Sequence, residues 1–479
     1  MLVKDYEVVI GLEVHAELST KTKAYCGCST KFGSDPNTHC CPICLALPGT
    51  LPVLNEKVVE YAVKAGLATG CEISRFSKQD RKNYFYPDLP KAYQTSQFDL
   101  PLCIGGYIDA KVNGQMKRFG ITRIHIEEDT GKLIHDQFSG DTLIDFNRCS
   151  VPLIEIVSEP DFRSADDVIA YMETIKSILE YLEVSDCKMQ EGSIRCDVNL
   201  SVRERGAEKF GTRTETKNLN SFKAIQRSIE YETKRQIEVL ESGGIIYQET
   251  RRWDDAKGYG YAMRTKEEAH DYRYFPEPDL APIILSNEYI DGIRESLPEM
   301  PHIRRMRYIN EYALSEYDAN QITASKYLAN FFDETLKVCN NPKAATNWLM
   351  GETSKMLKEQ ELEITEVKFS PTSLGNMIVL IDKGTISSAI AKKVFEEMFN
   401  TGKDPKVIVE EKGLLQISDE SAIKDIVIKI VAANPQSVVD YKAGRDRALG
   451  FLVGQIMKET KGKANPQIVN KYVLEELSK

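Results

Sequence analysis

Apolar and polar residues alternate strictly along Val9–Leu18: Ile10, Leu12, Val14, Ala16 and Leu18 fall on one side, Glu13, His15 and Glu17 on the other. Successive strand residues point to opposite faces, so this period of two predicts a half-buried strand. Similar runs recur at Tyr107–Val112, Phe119–Glu127, Leu143–Phe146, Leu153–Val157, Ser193–Val202 and Gly211–Asn218. Turn formers separate them, among them Asp88-Leu89-Pro90, Gly105-Gly106 and Asn113-Gly114, a spacing that predicts a largely antiparallel sheet. The period becomes helical over Asn55–Leu67, Ala165–Leu182 and Lys223–Ser242, the last closed by Gly243-Gly244. Helices flanking such a sheet define an α+β domain.

The pattern changes near Pro276-Glu277-Pro278 and Ala281-Pro282. From Asn287 the chain reads as helix after helix, with a second break expected at Thr401–Pro405, just before the β-branched run Lys406-Val407-Ile408-Val409. Three domains are therefore expected: an α+β domain over 1–290, a helical domain over 291–402 and a small helical tail over 403–479. There is no internal repeat and no low-complexity tract.

A length of 479 residues, 42% hydrophobic and 28% charged with mean hydropathy −0.35, describes a soluble globular chain. With no charged-then-apolar leader and no long apolar run, a cytoplasmic protein is expected, without membrane association. In that compartment eleven cysteines point to metal ligands, buried thiols or chemistry rather than disulfides. The net charge of −10 disfavours a simple nucleic-acid coat, but a local basic face can still contact RNA. Tyr441–Tyr472 supplies such a face, with seven basic residues (Lys442, Arg445, Arg447, Lys458, Lys461, Lys463, Lys471) against Asp446 and Glu459. A solvated helical face is the simpler account of the same pattern.

The polar sides of the strands carry unusual residues. Arg195, Asp197, Asn199 and Ser201 share one face, Arg213, Glu215 and Lys217 another, and Glu155 sits alone in the apolar run Leu153–Val157, where it needs a partner. Solvated faces usually carry Lys, Thr and Gln; carboxylates with an imidazole suit Mg²⁺ bridging a nucleotide, and the Arg and Lys residues can neutralise phosphate. In His125-Ile126-Glu127-Glu128, alternation groups His125 with Glu127, whereas a bulge after Ile126 would select Glu128. The segment Arg81–Asp88 mixes basic and aromatic residues and reads equally as a structural cluster or as a phosphate or RNA contact.

Tyr25-Cys26-Gly27-Cys28 and Cys40-Cys41-Pro42-Ile43-Cys44 make two close cysteine pairs. Four thiolates suit zinc in tetrahedral geometry, and such a site is closed to substrate and hence structural. The Cys-x₂-Cys spacing selects Cys41 and Cys44 over Cys40, and His39 can replace one thiolate. The chain lacks a P-loop, a kinase set, an HExxH helix, a Gly-x-Ser-x-Gly elbow and the Ser/Lys-rich glycine tract of an amidase.

Tyr6–His15, Asp80–Asp88, Pro152–Pro160, Asp271–Asp279, Asn347–Gly351 and Gly450–Gln455 together resemble the B subunit of the tRNA-dependent amidotransferases, the GatCAB family, over essentially the whole chain. The resemblance implies a cradle domain, a helical domain and a tail that grips tRNA. It implies a ligase of protein biosynthesis that uses ATP and Mg²⁺ to phosphorylate the side-chain carboxylate of misacylated Glu-tRNA(Gln) or Asp-tRNA(Asn). Ammonia from the amidase partner of the GatCAB heterotrimer then displaces phosphate, and a small third partner braces the other two. Carried onto this chain, Glu13, His15, Glu128 and Glu155 become the expected Mg²⁺ ligands, with Asp197 a further candidate at the same site. Arg195, Arg213 and Lys217 are the expected nucleotide contacts, and Cys26, Cys28, Cys41 and Cys44 the expected zinc ligands. The alternatives are a non-catalytic tRNA-binding scaffold, which has no need of the converging Glu13, His15 and Glu155, and a stand-alone zinc hydrolase, which four thiolates would leave without an open coordination position.

Overall fold

The computed structural model describes residues 5–136, 139–265, 271–415, 420–445, 447–460 and 463–478. They form two units, Met1–Met300 and Pro301–Lys479. Among the described residues no helix is long and apolar enough to cross a membrane.

The first unit is α+β, as the alternation predicts. Its frame is a ten-stranded sheet centred on Tyr6–Glu17, which pairs antiparallel with Pro152–Ser158 on one side and Ile194–Glu204 on the other. Beyond Pro152–Ser158 lie Gln115–Glu128, Cys103–Ile104 and Glu72–Ile73; beyond Ile194–Glu204 lie Thr214–Lys217, Glu249–Asp254 and Tyr259–Thr265. The pair Thr214–Lys217 with Glu249–Asp254 runs parallel, while the other pairings described for this sheet run antiparallel. The Asn113-Gly114 turn closes the hairpin of Tyr107–Val112 with Gln115–Glu128, and both turn residues have positive φ (49° and 84°), as a tight primed turn demands.

Helices Glu56–Ala68, Ala165–Tyr181 and Phe222–Glu241 pack on the sheet. Each opens on a side chain that satisfies free backbone donors: Asn55, Ser164 and Ser221 accept from Lys57 N, Asp167 N and Ala224 N. The even-numbered face of the central strand faces these helices. Ile10, Leu12, Val14 and Ala16 are buried in one cluster with Val58, Ala62, Tyr171, Ile175 and Ile225. Burial of such side chains stabilises by about 1.5–3 kcal/mol each for the larger ones. A one-residue slip would turn them to solvent, so the register of the odd-numbered polar face is fixed by the apolar one.

Two expectations change in detail. The 143–146 run forms Thr142–Asp145 but, among the described residues, pairs only with Lys132–His135, as a separate ribbon. The Arg81–Asp88 segment contributes a strand, Asp80–Asn83, that sits between Tyr93–Ser96 and Phe275–Pro276 in a small three-stranded sheet.

The second unit is helical and holds two apolar cores. One gathers Tyr308, Phe332, Leu374, Phe395 and Phe399; the other gathers Ile423, Val427, Leu452, Ile456 and Val473. The Lys406–Val409 run lies in a helix, Pro405–Glu411, capped by Asp404. Its Ile408 and Val409 are buried in the first of these cores, so the cores divide after residue 414 rather than at 401–405. Pro at the first helical position and an apolar i, i+1 pair on one face allow the helix despite its β-branched residues. Of the basic tail residues, Lys442, Arg445, Arg447, Lys458 and Lys471 are exposed and Lys463 is half-buried; Asp446 and Lys461 lie outside the described residues.

Candidate active site

The odd-numbered face of the central strand opens into a cavity of about 420 Å³. Register builds its floor: His15 stands opposite Glu155, and Glu155 opposite His125, across three adjacent strands. Glu127 lies two residues beyond His125 on the same face. His15 Nε2 lies 3.5 Å from Glu155 Oε2 and 3.9 Å from Glu127 Oε2, and His125 Nε2 lies 3.3 Å from both carboxylates. Ligand atoms of His15, Glu127 and Glu155 come within 4.8 Å of one another. Lys82, Arg123, Arg213, Lys217, Tyr272 and Tyr274 complete much of the wall.

Glu127 is oriented from a neighbouring strand, by Ser96 Oγ at 2.7 Å and Gln94 Nε2 at 3.3 Å. Burial opposes ionisation of Glu155, but the charge and hydrogen bond of His125, then those of His15, hold its pKa well below the carboxylate range. For His125 burial also opposes the charge; the carboxylates of Glu155 and Glu127 prevail and carry its pKa to about 9. Lys82 is likewise kept charged against burial, chiefly by Glu127. The cavity thus holds Glu155 in its anionic form with charged His125 and Lys82 around it.

A second acidic group adjoins the first. Glu13, Asp197 and Glu215 offer ligand atoms within 4.8 Å of one another, and Lys217 Nζ reaches Asp197 at 2.6 Å and Glu215 at 2.8 Å. Asn199 Nδ2 donates to Glu13 Oε1 at 3.0 Å. Burial, and then the charges of Glu155 and Glu215, raise the pKa of Glu13. Crowded, half-buried carboxylates of this kind are what a bound divalent cation relieves, and hard oxygen donors with one imidazole fit Mg²⁺. On chemistry and geometry the two groups are candidate cation sites.

Two of the expected residues stand elsewhere. Strict alternation continues through Ile126 without a bulge, so Glu128 faces away from the cavity. Its carboxylate is taken by Lys91, by Thr95 N at 2.7 Å and by Ser150 Oγ at 2.7 Å. Arg195 is drawn to Asp129 by bonds of 2.8 and 3.3 Å, outside the cavity lining. Beside them Glu17 is pushed up to about 8, by burial and then by the charge of Asp129. The residues that sequence reasoning missed, Gln94 and Ser96, reach Glu127 from a strand of the small three-stranded sheet packed against it, a contact that no local pattern announces. Lys82 lay in a segment read as structural or phosphate-contacting, and it lines the cavity.

The cysteines converge separately. Sulfurs of Cys26, Cys28, Cys41 and Cys44 lie within 4.8 Å of one another, whereas Cys40 Sγ turns to Asn147 Oδ1 at 3.9 Å. Cys44 is buried and receives Lys23 Nζ at 3.6 Å and Cys41 N at 3.2 Å. The hydrogen bond with Cys26 heads the causes that lower Cys44 to about 4, while burial first and Cys41 next raise Cys28 to about 11. Four sulfurs sharing protons at this spacing form a donor set that fits zinc, with no place left for substrate.

The α+β sheet thus brings carboxylates, two imidazoles and several basic side chains together around one cavity. Residues 8–291 match the family model described as the GatB/GatE catalytic domain, and 330–477 match the GatB domain. The B subunit of the aspartyl/glutamyl-tRNA(Asn/Gln) amidotransferase of Caldicellulosiruptor bescii is 64% identical over 478 residues, 99% of this chain and 100% of that one. The protein of that name from Thermoanaerobacter sp. (strain X514) is 63% identical over 474 residues, covering 99% and 100%. That from Clostridium tetani is 58% identical over 476 residues, covering 99% of each. The chain belongs to the family of tRNA-dependent amidotransferase B subunits.

Proposed function

We propose that this chain carries the phosphoryl-transfer and amide-forming site of an ATP-dependent amidotransferase acting on misacylated Glu-tRNA(Gln), Asp-tRNA(Asn) or both. The observation that carries the reading is the convergence of His15, Glu127 and Glu155 with Glu13 and Glu215 in one cavity ringed by Lys82, Arg213 and Lys217, with Asp197 adjoining Glu13 and Glu215. A scaffold for tRNA has no use for buried like charges that cost stability when unpaired.

A carboxylate is a poor electrophile, and phosphorylation gives it a leaving group. Mg²⁺ held by the acidic groups would supply charge neutralisation and alignment of the γ-phosphoryl. The chain's own part is positional. Lys82, Arg213 and Lys217 bring positive charge to the phosphate oxygens, and the strand register holds His15 and Glu155 fixed relative to each other. Ammonia, supplied by an amidase partner, displaces phosphate before water does, with a small third partner bracing the pair. The Cys26, Cys28, Cys41 and Cys44 group holds structural zinc, and the exposed basic residues of 442–471 meet tRNA phosphates.

The test uses the assembled complex with misacylated Glu-tRNA(Gln), Mg·ATP and ammonium chloride, which bypasses the amidase. Glu155→Gln is expected to abolish both ADP release and Gln-tRNA formation while tRNA binding persists. Undiminished turnover would leave the scaffold reading.

A further inference from the structure

Lys23 is completely buried, at 0% exposure, in the hairpin that carries the first cysteine pair. Its backbone N–H donates to Cys28 O at 3.0 Å. Its side chain crosses to the second pair, with Nζ 3.6 Å from Cys44 Sγ and 3.4 Å from Phe146 O. Among the described residues no carboxylate forms an ion pair with it. We propose that Lys23 is the counter-ion of the zinc–tetrathiolate cluster: a buried ammonium that offsets part of the cluster's charge and ties the two cysteine pairs together. The assignment rests on the zinc reading above and adds a residue outside the ligand set.

A lysine is seldom fully buried unless an anion pairs with it, because taking an ammonium out of water is costly and a neutral partner offsets little of that cost. Here the partners are a carbonyl and a sulfur. Four neutral thiols would leave Lys23 as an uncompensated buried charge. Four thiolates around one Zn²⁺ carry two net negative charges, and an ammonium against one sulfur removes half of that excess. Burial and ligand chemistry thus account for each other: the metal-bound cluster supplies the anion that the lysine lacks, and the lysine supplies a cation that the cluster lacks. Lys31, in the same loop, is exposed instead.

The lysine is held in place from several sides. Asn55 Nδ2 donates to Lys23 O at 3.3 Å, and the next residue, Ala24, donates its N–H to Ser150 O at 2.9 Å, so the stem leaves a fixed backbone. Buried Cys149 lies behind Cys44, its Sγ donating to Cys44 O at 3.7 Å. A donor set against a metal-bound sulfur draws charge from it without entering the coordination sphere. Outer partners of this kind orient and tune the ligands of a metal, and losing one costs about 10–100-fold in affinity.

The experiment is zinc competition with a chromophoric chelator on the assembled complex, with the absorption spectrum of the cobalt-exchanged protein read alongside. Variants are Lys23→Met, which keeps the stem and removes the charge, Lys23→Gln, which keeps an N–H donor, and Lys31→Met. Both Lys23 variants should weaken zinc at least about tenfold, the lower end for an outer partner, and Lys31→Met should leave it unchanged. The sulfur-to-cobalt charge-transfer band should persist in all three, since the four ligands are intact. Melting temperatures separate a counter-ion from a packing residue. Lys23→Met should melt lower than the parent when zinc-loaded and no lower after chelation, where the ammonium has lost its anion. Lys23→Gln carries the same readings should Lys23→Met fail to fold. Unchanged zinc affinity in both Lys23 variants overturns the counter-ion and leaves the zinc site standing, as does an equal loss of melting temperature with and without metal. Weakening in Lys23→Met alone gives the role to the hydrogen bond and overturns the charge. A parent protein with neither zinc nor a cobalt–sulfur band overturns the zinc reading itself, and the counter-ion with it.

Discussion

Arg81 and Glu277, 196 positions apart, face each other in a two-pronged ion pair: Nε to Oε2 and Nη2 to Oε1, both at 2.7 Å. The guanidinium also lies 4.3 Å from the Tyr93 ring centroid, and Glu277 is buried. Through this pair the Asp80–Asn83 strand holds the segment that delivers Tyr272 and Tyr274 to the cavity wall. Glu277→Gln leaves a partly buried guanidinium without its anion, at a cost of about 2–3 kcal/mol, below the full value for a buried pair because Arg81 retains some solvent. Chemical denaturation should show the lower midpoint.

The same pair sets a pH dependence. Burial opposes the charge on Glu277, but the Arg81 hydrogen bonds win and its pKa is lowered. A depressed folded pKa adds stability that is fully present above the unfolded carboxylate value of about 4.3 and is lost as pH falls through the folded value. The stability gap between the parent and Glu277→Gln should therefore be constant from about pH 8 to 6 and close below about pH 4. A gap that widens in acid would contradict the ion pair.

Glu127 and Glu128 are neighbours in sequence on opposite faces of one strand. Glu127→Gln should cost about 10²-fold or more in ATP-dependent turnover and raise the Mg²⁺ concentration needed for half-maximal rate. Glu128→Gln weakens bonds to Lys91, Thr95 N and Ser150 and should lower stability by about 1–3 kcal/mol. Its Mg²⁺ dependence should stay at the parent value. Magnesium titrations of the two variants, side by side, separate a ligand from a strut.

How much of this was readable in the chain depends on the range of the interaction. The polar face of Glu13 and His15 followed from alternation alone, because Ile10, Leu12, Val14 and Ala16 have one place to go. Glu155 was marked by its isolation among apolar residues. Alternation also grouped His125 with Glu127, whereas family likeness favoured Glu128, and the geometry follows the pleat. What could not be read was anything set by packing between segments distant in sequence. Ser96 and Gln94 orient Glu127 only because the Tyr93–Ser96 strand lies alongside, and Arg195 shares a face with Asp197 yet is captured by Asp129. The helix Pro405–Glu411 falls within the helical tail expected over 403–479, but Ile408 and Val409 pack into the preceding core, which no local pattern marks.

The four-sulfur cluster predicts one zinc per chain by atomic emission. Cys41→Ser and Cys44→Ser should each lose the metal and lower the melting temperature, since metal binding to such a site is folding free energy. Cys40→Ser, in the same loop but turned to Asn147, should retain it. Chelator treatment of the parent protein should reproduce the melting temperature of Cys44→Ser.

The tail offers a reading through salt. Arg445, Arg447 and Lys458 are exposed, and Arg445 reaches only a surface aspartate, Asp440, at 3.1 Å among its described ion pairs. Surface pairs of this sort are worth about 0–1 kcal/mol and yield readily to a phosphate. Each Arg or Lys that neutralises a tRNA phosphate releases condensed counterions, so log K falls with log salt by roughly 0.7–0.9 per contact. Replacing Arg445, Arg447 and Lys458 with Gln should therefore weaken tRNA binding and flatten the salt slope by about 2 if all three touch phosphate. Folding should be unaffected, because none of the three lies in the tail's apolar core. Filter-binding isotherms at several potassium chloride concentrations give both quantities at once. An unchanged slope would show a solvated helical face and move the tRNA contact to another part of the chain.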